Sequence, residues 1–182
     1  EVGLLNSRIK PEEELEDLQT DLRIYPTKKQ VITYNSVQQE KLTTESGNGE
    51  VIVQSKDVYS NNDAASGCIA ETDDLPDDDR DAGGLWSELT LSIGSRVMCI
   101  KNLGDGIING SMGEVHSFEF SGDNKTVSAV YVLFDDRDSV NQLIDPNRVG
   151  DVRIEEYSQE FRYKGSSVYR VQFHLIPAWS VT

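Results

Sequence analysis

The chain of 182 residues is 37% hydrophobic and 27% charged, and its formal net charge is −15 at pH 7. These values are ordinary for a soluble chain that forms one compact domain or two small ones. No apolar run reaches the roughly 18–20 residues that a membrane span needs, so we expect no membrane partner. The negative charge argues against strong autonomous binding to nucleic acid, because such proteins normally present a basic face.

The first sixty residues predict a connector helix followed by one βα unit. Pro11 to Leu22 has acids in its first turn and leucines at helical spacing, as at a helix N-terminus. A short β-like run at 22–25 then leads to Thr27, which can cap a helix from about Lys28 to Leu42. A single βα unit cannot bury a parallel sheet on both faces, so its partner strands must come from elsewhere in the chain.

Residues 43 to 84 are mostly irregular, apart from a short strand at Val51–Val53. The run Glu71 to Asp81 contains seven carboxylates and one arginine. Such a run is usually a solvated linker, and the alternative is a segment that recruits a basic partner. We therefore predict that residues 61–84 form an acidic, mobile linker.

The segment from Leu91 to Phe134 predicts strands joined by turns. Strands are expected at Ser95–Ile100, Gly113–Phe118 and Val127–Phe134, with another at Arg153–Tyr157. Short strands at this spacing indicate a small antiparallel barrel. A further apolar strand at 167–176 precedes residues 178–182, and because the sequence stops inside an apolar strand we expect a truncation.

The motifs predict no catalytic centre and no metal site in this chain. There is no Gly-x-x-x-x-Gly-Lys-Ser/Thr phosphate loop and no Asp-Glu pair. The glycine-rich segment 104–110 joins two strands and is expected to be a structural turn. His116 and His174 lack further ligands at metal spacing and are expected to be packed or surface residues. Trp86 and Trp179 lie in apolar settings, which favours core packing over base stacking.

Cysteine usage and the distribution of cations bear on location and partners. Cys68 and Cys99 form no Cys-x-x-Cys and are expected to be plain thiols in a reducing, intracellular compartment. The second half of the chain nevertheless carries cations from which a local basic face could form: Arg96, Lys101, Lys125, Arg137, Arg148, Arg153, Arg162, Lys164 and Arg170.

Several motifs together resemble the PIF-type (petite integration frequency) branch of superfamily 1 DNA helicases, relatives of the RecD subunit. The earlier residues Tyr25-Pro-Thr27, Val31, Asn35 and Leu42 match the start of that family's second RecA-like domain. The other matching segments are Gly94-Ser-Arg-Val-Met98, Lys101-Asn-Leu103, Gly106-Ile-Ile-Asn-Gly110, Gly113-Glu-Val115, Arg170-Val-Gln-Phe173 and Ala178-Trp-Ser-Val-Thr182.

The resemblance implies an α+β, mostly β fold in which a small SH3-like antiparallel barrel is attached to an incomplete RecA-like α/β segment. Residues 1–60 would be part of the second motor domain and 85–170 the barrel insertion. Residues 171–182 would be a returning motor-domain strand. In the family that strand leads into a His-Lys-Ser-Gln-Gly motif, which does not occur here.

The implied function is that of a fragment of an ATP-dependent helicase that moves 5′ to 3′ on DNA. The fragment itself would need no cofactor and would not hydrolyse ATP, whereas the parent would use ATP and magnesium. It would act with the remaining helicase domains in cis, in the nucleus or mitochondrion if the organism is eukaryotic. Single-stranded DNA would bind the isolated fragment weakly or not at all.

The candidate contacts to single-stranded DNA are cations and polar hydrogen bonders at two places. They are Lys28 and Lys29 at the start of the predicted helix, where the helix dipole adds positive potential, and Lys101, Asn102 and Asn109 in the loop between two strands. The alternative reading is a non-catalytic small-barrel module that binds protein, with the acidic linker recruiting a basic partner. The parent reading frame distinguishes the two, since only a helicase would carry a phosphate loop upstream.

Overall fold

The computed structural model describes residues 22–59, 75, 79–104, 106–122, 126–136 and 151–182. The predicted connector helix at 11–22 and Cys68 lie outside these residues, as does most of the acidic run. The described elements are one α-helix, a short 3₁₀ helix at Asp79–Ala82 and twelve strands. In chain order they are β1 Arg23–Ile24, α1 Lys28–Ser46, β2 Val51–Gln54, β3 Lys56–Tyr59, β4 Glu88–Leu91, β5 Arg96–Cys99, β6 Met112–Phe120, β7 Val127–Phe134, β8 Asp151–Glu155, β9 Tyr157–Tyr163, β10 Ser166–Gln172, β11 Leu175–Pro177 and β12 Ser180–Val181.

The mostly β class predicted from the sequence is confirmed, and so are most of its strands. β7 has the predicted bounds, and β5 and β6 differ by one or two residues from prediction at each end. The single strand expected at 167–176 is instead interrupted, because the chain leaves the β10 ladder after Gln172 and pairs elsewhere as β11. The strands β3, β4 and β9 were not predicted; β3 and β9 show no clear apolar alternation, and β4 has only four residues.

The largest sheet has the strand order β11-β5-β6-β7-β8, and all its described pairings are antiparallel. The β2–β4 pair packs against this sheet, so that Val53 and Leu89 share one core with Val97, Val132 and Phe173. Among the described strands no hydrogen-bonded pairing joins β11 to β8. The sheet is therefore open on that side. The barrel predicted over 85–170 is not closed by hydrogen bonds among the described strands.

A second sheet, in the order β3-β10-β9, is held by a buried ion pair. The Arg170 guanidinium donates to both carboxylate oxygens of Asp57, with Nη2 2.8 Å from Oδ2, and also donates to the carbonyl oxygen of Leu85 at 3.1 Å. Both side chains are almost fully buried. Beside this sheet, Leu75 and Ala82 pack against Phe161 and Val168, so the described part of the predicted linker is attached to the fold.

The helix α1 begins at Lys28, as predicted, and ends at Ser46, four residues beyond the predicted end. Thr27 has extended dihedral angles, and its hydroxyl oxygen accepts a hydrogen bond from the Gln30 amide at 3.4 Å. Gly47 ends the helix in the left-handed region, with φ of 69°, and its N–H donates to the Thr43 carbonyl oxygen. This glycine matches the usual C-terminal stop signal.

The helix is held to the rest of the fold by two buried amides, because it has no continuous apolar face. Asn35 donates to the carbonyl oxygens of Pro177 and Ser180, and its Oδ1 accepts the Ser180 N–H at 2.8 Å. One turn later Gln39 donates to the Ser92 hydroxyl and accepts from the Ser95 hydroxyl. These two residues are the buried positions of the helix.

The contact at Asn35 places β12 beside β1 in a parallel pairing, with Arg23 opposite Ser180 and Ile24 opposite Val181. The first and the last strand of the described residues therefore pair with each other beside one helix. A parallel pair connected through a long excursion and accompanied by a helix is an α/β arrangement. The partner strand that the isolated βα unit required comes from residues 180–181.

We predict that Asn35→Ala destabilises the fold by about 2–4 kcal/mol, because the Ser180 N–H and two carbonyl oxygens lose a buried partner. Urea unfolding followed by circular dichroism measures the change. Gln38→Ala is the matched control, since it removes a less buried amide from the same helix and should change the free energy of unfolding by less than about 1 kcal/mol. Equal effects of the two substitutions would contradict the docking role of Asn35.

Candidate nucleic-acid interface

The loop between β5 and β6 is built by backbone hydrogen bonds and anchored by one buried side chain. The Gly110 N–H donates to the Cys99 carbonyl oxygen at 2.8 Å, and the Leu103 N–H donates to the Ile107 carbonyl oxygen at 3.0 Å. Ile107 is fully buried in the main core, whereas its neighbour Ile108 is 60% exposed. The loop is thus a fixed projection from the sheet, as the predicted structural turn requires.

Three predicted site residues meet in this loop. Asn102 accepts the backbone N–H of Asn109 at 2.8 Å through Oδ1, so this oxygen closes the loop. The Asn109 side chain is exposed. The Lys101 ammonium lies 3.5 Å from the ring centroid of Tyr157, the first residue of β9. The sequence had placed Tyr157 at the end of a strand and gave it no role.

His174 lies behind this pair and is buried. Its ring centroid is 4.9 Å from that of Tyr157, and its backbone carbonyl oxygen accepts the Ile100 N–H at 3.0 Å. Within the described part of the chain, His174 Nδ1 has no hydrogen-bond partner. Burial and, second, the nearby Lys101 charge lower the pKa of His174 to about 4, so the ring is neutral at pH 7.

The other two predicted residues, Lys28 and Lys29, lie at the start of α1 and not in this loop. The Lys28 ammonium binds the Asp79 carboxylate of the 3₁₀ helix. Lys29 lines a shallow surface pocket with Tyr25, Tyr34 and Val37. The Arg23 guanidinium lies 4.8 Å above the Tyr34 ring, and burial raises the Tyr34 pKa while Arg23 opposes that shift.

Three cations of the local basic face expected in the second half of the chain are paired with carboxylates. Arg96 pairs with Asp135 at 2.6 Å, Arg153 with Glu119 at 2.9 Å, and Arg170 is buried against Asp57. The hydrogen bonds from Arg153, and then from Tyr131, lower the Glu119 pKa to about 2. Lys125, Arg137 and Arg148 lie outside the described residues.

The remaining candidate residues carry no additional site. The sequence favoured core packing for Trp86 and Trp179, and both are half-buried. Burial raises the Cys99 pKa, which keeps that thiol protonated. Within the described ranges no three His, Cys, Asp or Glu side chains come together as a metal-binding group. No helix in the same ranges has the length and hydropathy to cross a membrane.

Taken together, the described residues form an open five-stranded antiparallel sheet, a second three-stranded sheet and a parallel α/β piece made by β1, α1 and β12. No family model matches the sequence, and no curated protein matches it either. Among solved structures, the chain is similar to the Pif1 helicase from Candida albicans, with 21% identity and a TM-score of 0.57 over 95% of this chain and 41% of that one. It is also similar to unliganded Pif1 from Bacteroides sp, with 17% identity and a TM-score of 0.57 over 97% of this chain and 34% of that one.

A third similar structure is Bacteroides Pif1 bound to ssDNA, with 18% identity and a TM-score of 0.51 over 88% of this chain and 30% of that one. This chain thus spans between 30% and 41% of the length of these three relatives. The resemblance to PIF-type helicases is confirmed as a likeness of fold over most of the chain.

We predict that the free energy of unfolding decreases as the pH falls from about 6.5 towards 4, because unfolded His174 takes up a proton near its ordinary pKa of about 6.5. The folded protein leaves the ring neutral until its pKa of about 4. The full effect is about 3 kcal/mol at most. Urea unfolding at several pH values, with His174→Gln as the comparison, isolates this contribution from that of the carboxylates. Identical pH profiles of the two proteins would contradict it.

Proposed function

We propose that this chain is part of a PIF-type, ATP-dependent 5′-to-3′ DNA helicase and that it guides single-stranded DNA. The observation that carries the proposal is the likeness of fold to Pif1 helicases over 88–97% of the chain. In the parent, other parts of the protein would bind ATP and magnesium. Residues 85–170, whose described strands form open sheets, would act as the accessory element that corresponds to the family's SH3-like barrel.

The surface loop after β5 supports a DNA-guiding role by its composition and rigidity. It presents the Lys101 ammonium and the exposed Asn109 side chain from a backbone that hydrogen bonds fix in place. Single-strand grooves combine cations that follow phosphates with polar and aromatic groups that meet the bases. The acids elsewhere on the chain keep its own affinity low, since a net charge of −15 opposes the approach of phosphate. In the parent, the remaining domains would supply most of the binding free energy.

The two lysines at the start of α1 have different roles in this proposal. Lys29 is exposed beside Tyr25 and Tyr34 and is the better phosphate contact. Lys28 is bound to Asp79, so a phosphate would have to compete with a carboxylate for its ammonium. We therefore expect Lys28 to contribute less than Lys29 and Lys101.

We predict that Lys101→Gln and Lys29→Gln each make the salt dependence of oligothymidylate binding shallower, by about 0.7 in the slope of log K against log salt. Fluorescence anisotropy of the 182-residue chain with a labelled oligonucleotide at low ionic strength measures this slope. Lys28→Gln should have a smaller effect, because its charge already interacts with Asp79.

Lys41→Gln is the matched control for these substitutions. It changes the net charge equally, but Lys41 lies in the later half of α1 and its ammonium is 3.9 Å from Glu45. A slope that changes as much in Lys41→Gln as in Lys101→Gln would mean that net charge alone is responsible. A salt dependence that neither Lys101→Gln nor Lys29→Gln changes would count against the DNA-guiding role.

A further inference from the structure

Tyr157 is an exposed aromatic residue held in a fixed position between two chain segments. It is 49% exposed although it begins a strand, and it pairs with Gln172 in the β9–β10 ladder. Lys101 reaches it from the loop after β5, and His174 contacts it from the segment between β10 and β11. Part of the ring is therefore accessible to a ligand.

The support behind the ring is rigid and uncharged. His174 is 4% exposed, and its backbone is hydrogen bonded to Ile100 at the end of β5. Its neutral imidazole lies against the Tyr157 ring at an interplanar angle of 54° and adds no charge there. A ring held in this way loses little conformational freedom when a ligand stacks on it.

The charges around Tyr157 do not exclude a nucleotide. The neighbouring Glu156 carboxylate binds the Lys56 ammonium at 2.8 Å, so its charge is compensated. Lys101 differs from Arg96, Arg153 and Arg170, which pair with carboxylates, because its described contact is with an aromatic ring. A cation–π contact at an exposed ring is weaker than base stacking, so a nucleotide can displace the ammonium from the ring without a large penalty.

We propose that Tyr157 stacks on a nucleobase of single-stranded DNA while Lys101 leaves the ring and binds the adjacent phosphate. The proposal rests on the DNA-guiding function proposed above and adds a residue that contacts a base, whereas the lysines contact the phosphate backbone. Stacking on a tyrosine face tolerates any base, because every base has a π-face. The site would therefore hold the strand without selecting its sequence.

Photocrosslinking tests the contact directly, and it does not require high affinity. The 182-residue chain is irradiated at low salt with an oligothymidylate in which 5-iododeoxyuridine replaces thymidine, and the attached peptide is identified by mass spectrometry. We expect the crosslink at Tyr157. Tyr157→Leu should abolish it and weaken binding by about 10-fold or more, whereas Tyr157→Phe should preserve both, because phenylalanine keeps the stacking face.

Tyr169→Leu is the matched control, because Tyr169 is an exposed tyrosine, 37% accessible, on the neighbouring strand β10. It should leave the crosslink and the affinity unchanged. Urea midpoints of all variants establish that each is folded, and the pair Tyr157→Phe and Tyr157→Leu separates loss of the ring from loss of the hydroxyl.

Failure of this inference is distinguishable from failure of the proposed function. If the wild-type chain binds DNA with a salt dependence that Lys101→Gln reduces, but crosslinks elsewhere or binds equally well as Tyr157→Leu, then Tyr157 does not stack and the DNA-guiding role remains. If the wild-type chain binds DNA but Lys101→Gln leaves the salt dependence unchanged and no crosslink forms at Tyr157, both proposals are overturned.

Discussion

The arrangement of the chain depends on the two buried amides of α1. Asn35 and Gln39 are one turn apart on the inner face, and they hydrogen bond to Ser180 and to the Ser92–Ser95 turn respectively. A helix that buries amides must satisfy each of them, since an unpaired buried polar group is costly. This requirement fixes both the rotation and the position of the helix more strictly than apolar contacts would. The parallel pairing of β1 with β12 follows from it.

The same helix contact connects the parallel α/β piece to the open sheet. The turn at Ser92–Ser95 leads directly into β5, and a side chain at Gly94, whose φ is +92°, would lie 3.2 Å from Leu42 of α1. The helix and this turn therefore pack closely, and the β5–β6 loop projects from the other end of the same strand. The short strand β5 therefore joins the helix contact at one end to the loop that carries Lys101 at the other.

The ion pairs of the chain decide which of its cations a phosphate could reach. Carboxylates pair with Arg96, Arg153 and Arg170, which removes these cations from the set that a phosphate can reach. Lys101 is placed over Tyr157 instead, so it keeps its charge available. Under the proposed function, weak contacts of this kind would let a DNA strand be released easily.

The sequence by itself determined most of the strands, the Thr27 cap and the βα unit, because these depend on local propensity, capping and turn chemistry. It also identified Lys101, Asn102 and Asn109 as one cluster, since they share a short loop. Only the tertiary structure decided that the sheet stays open among the described strands, that β12 pairs with β1, and that Tyr157 and His174 join Lys101. Those contacts link residues more than fifty positions apart, and one chain's alternation of apolar and polar residues does not specify which distant segments meet. The ion pairs of Arg96, Arg153 and Arg170 could not be predicted from the sequence for the same reason.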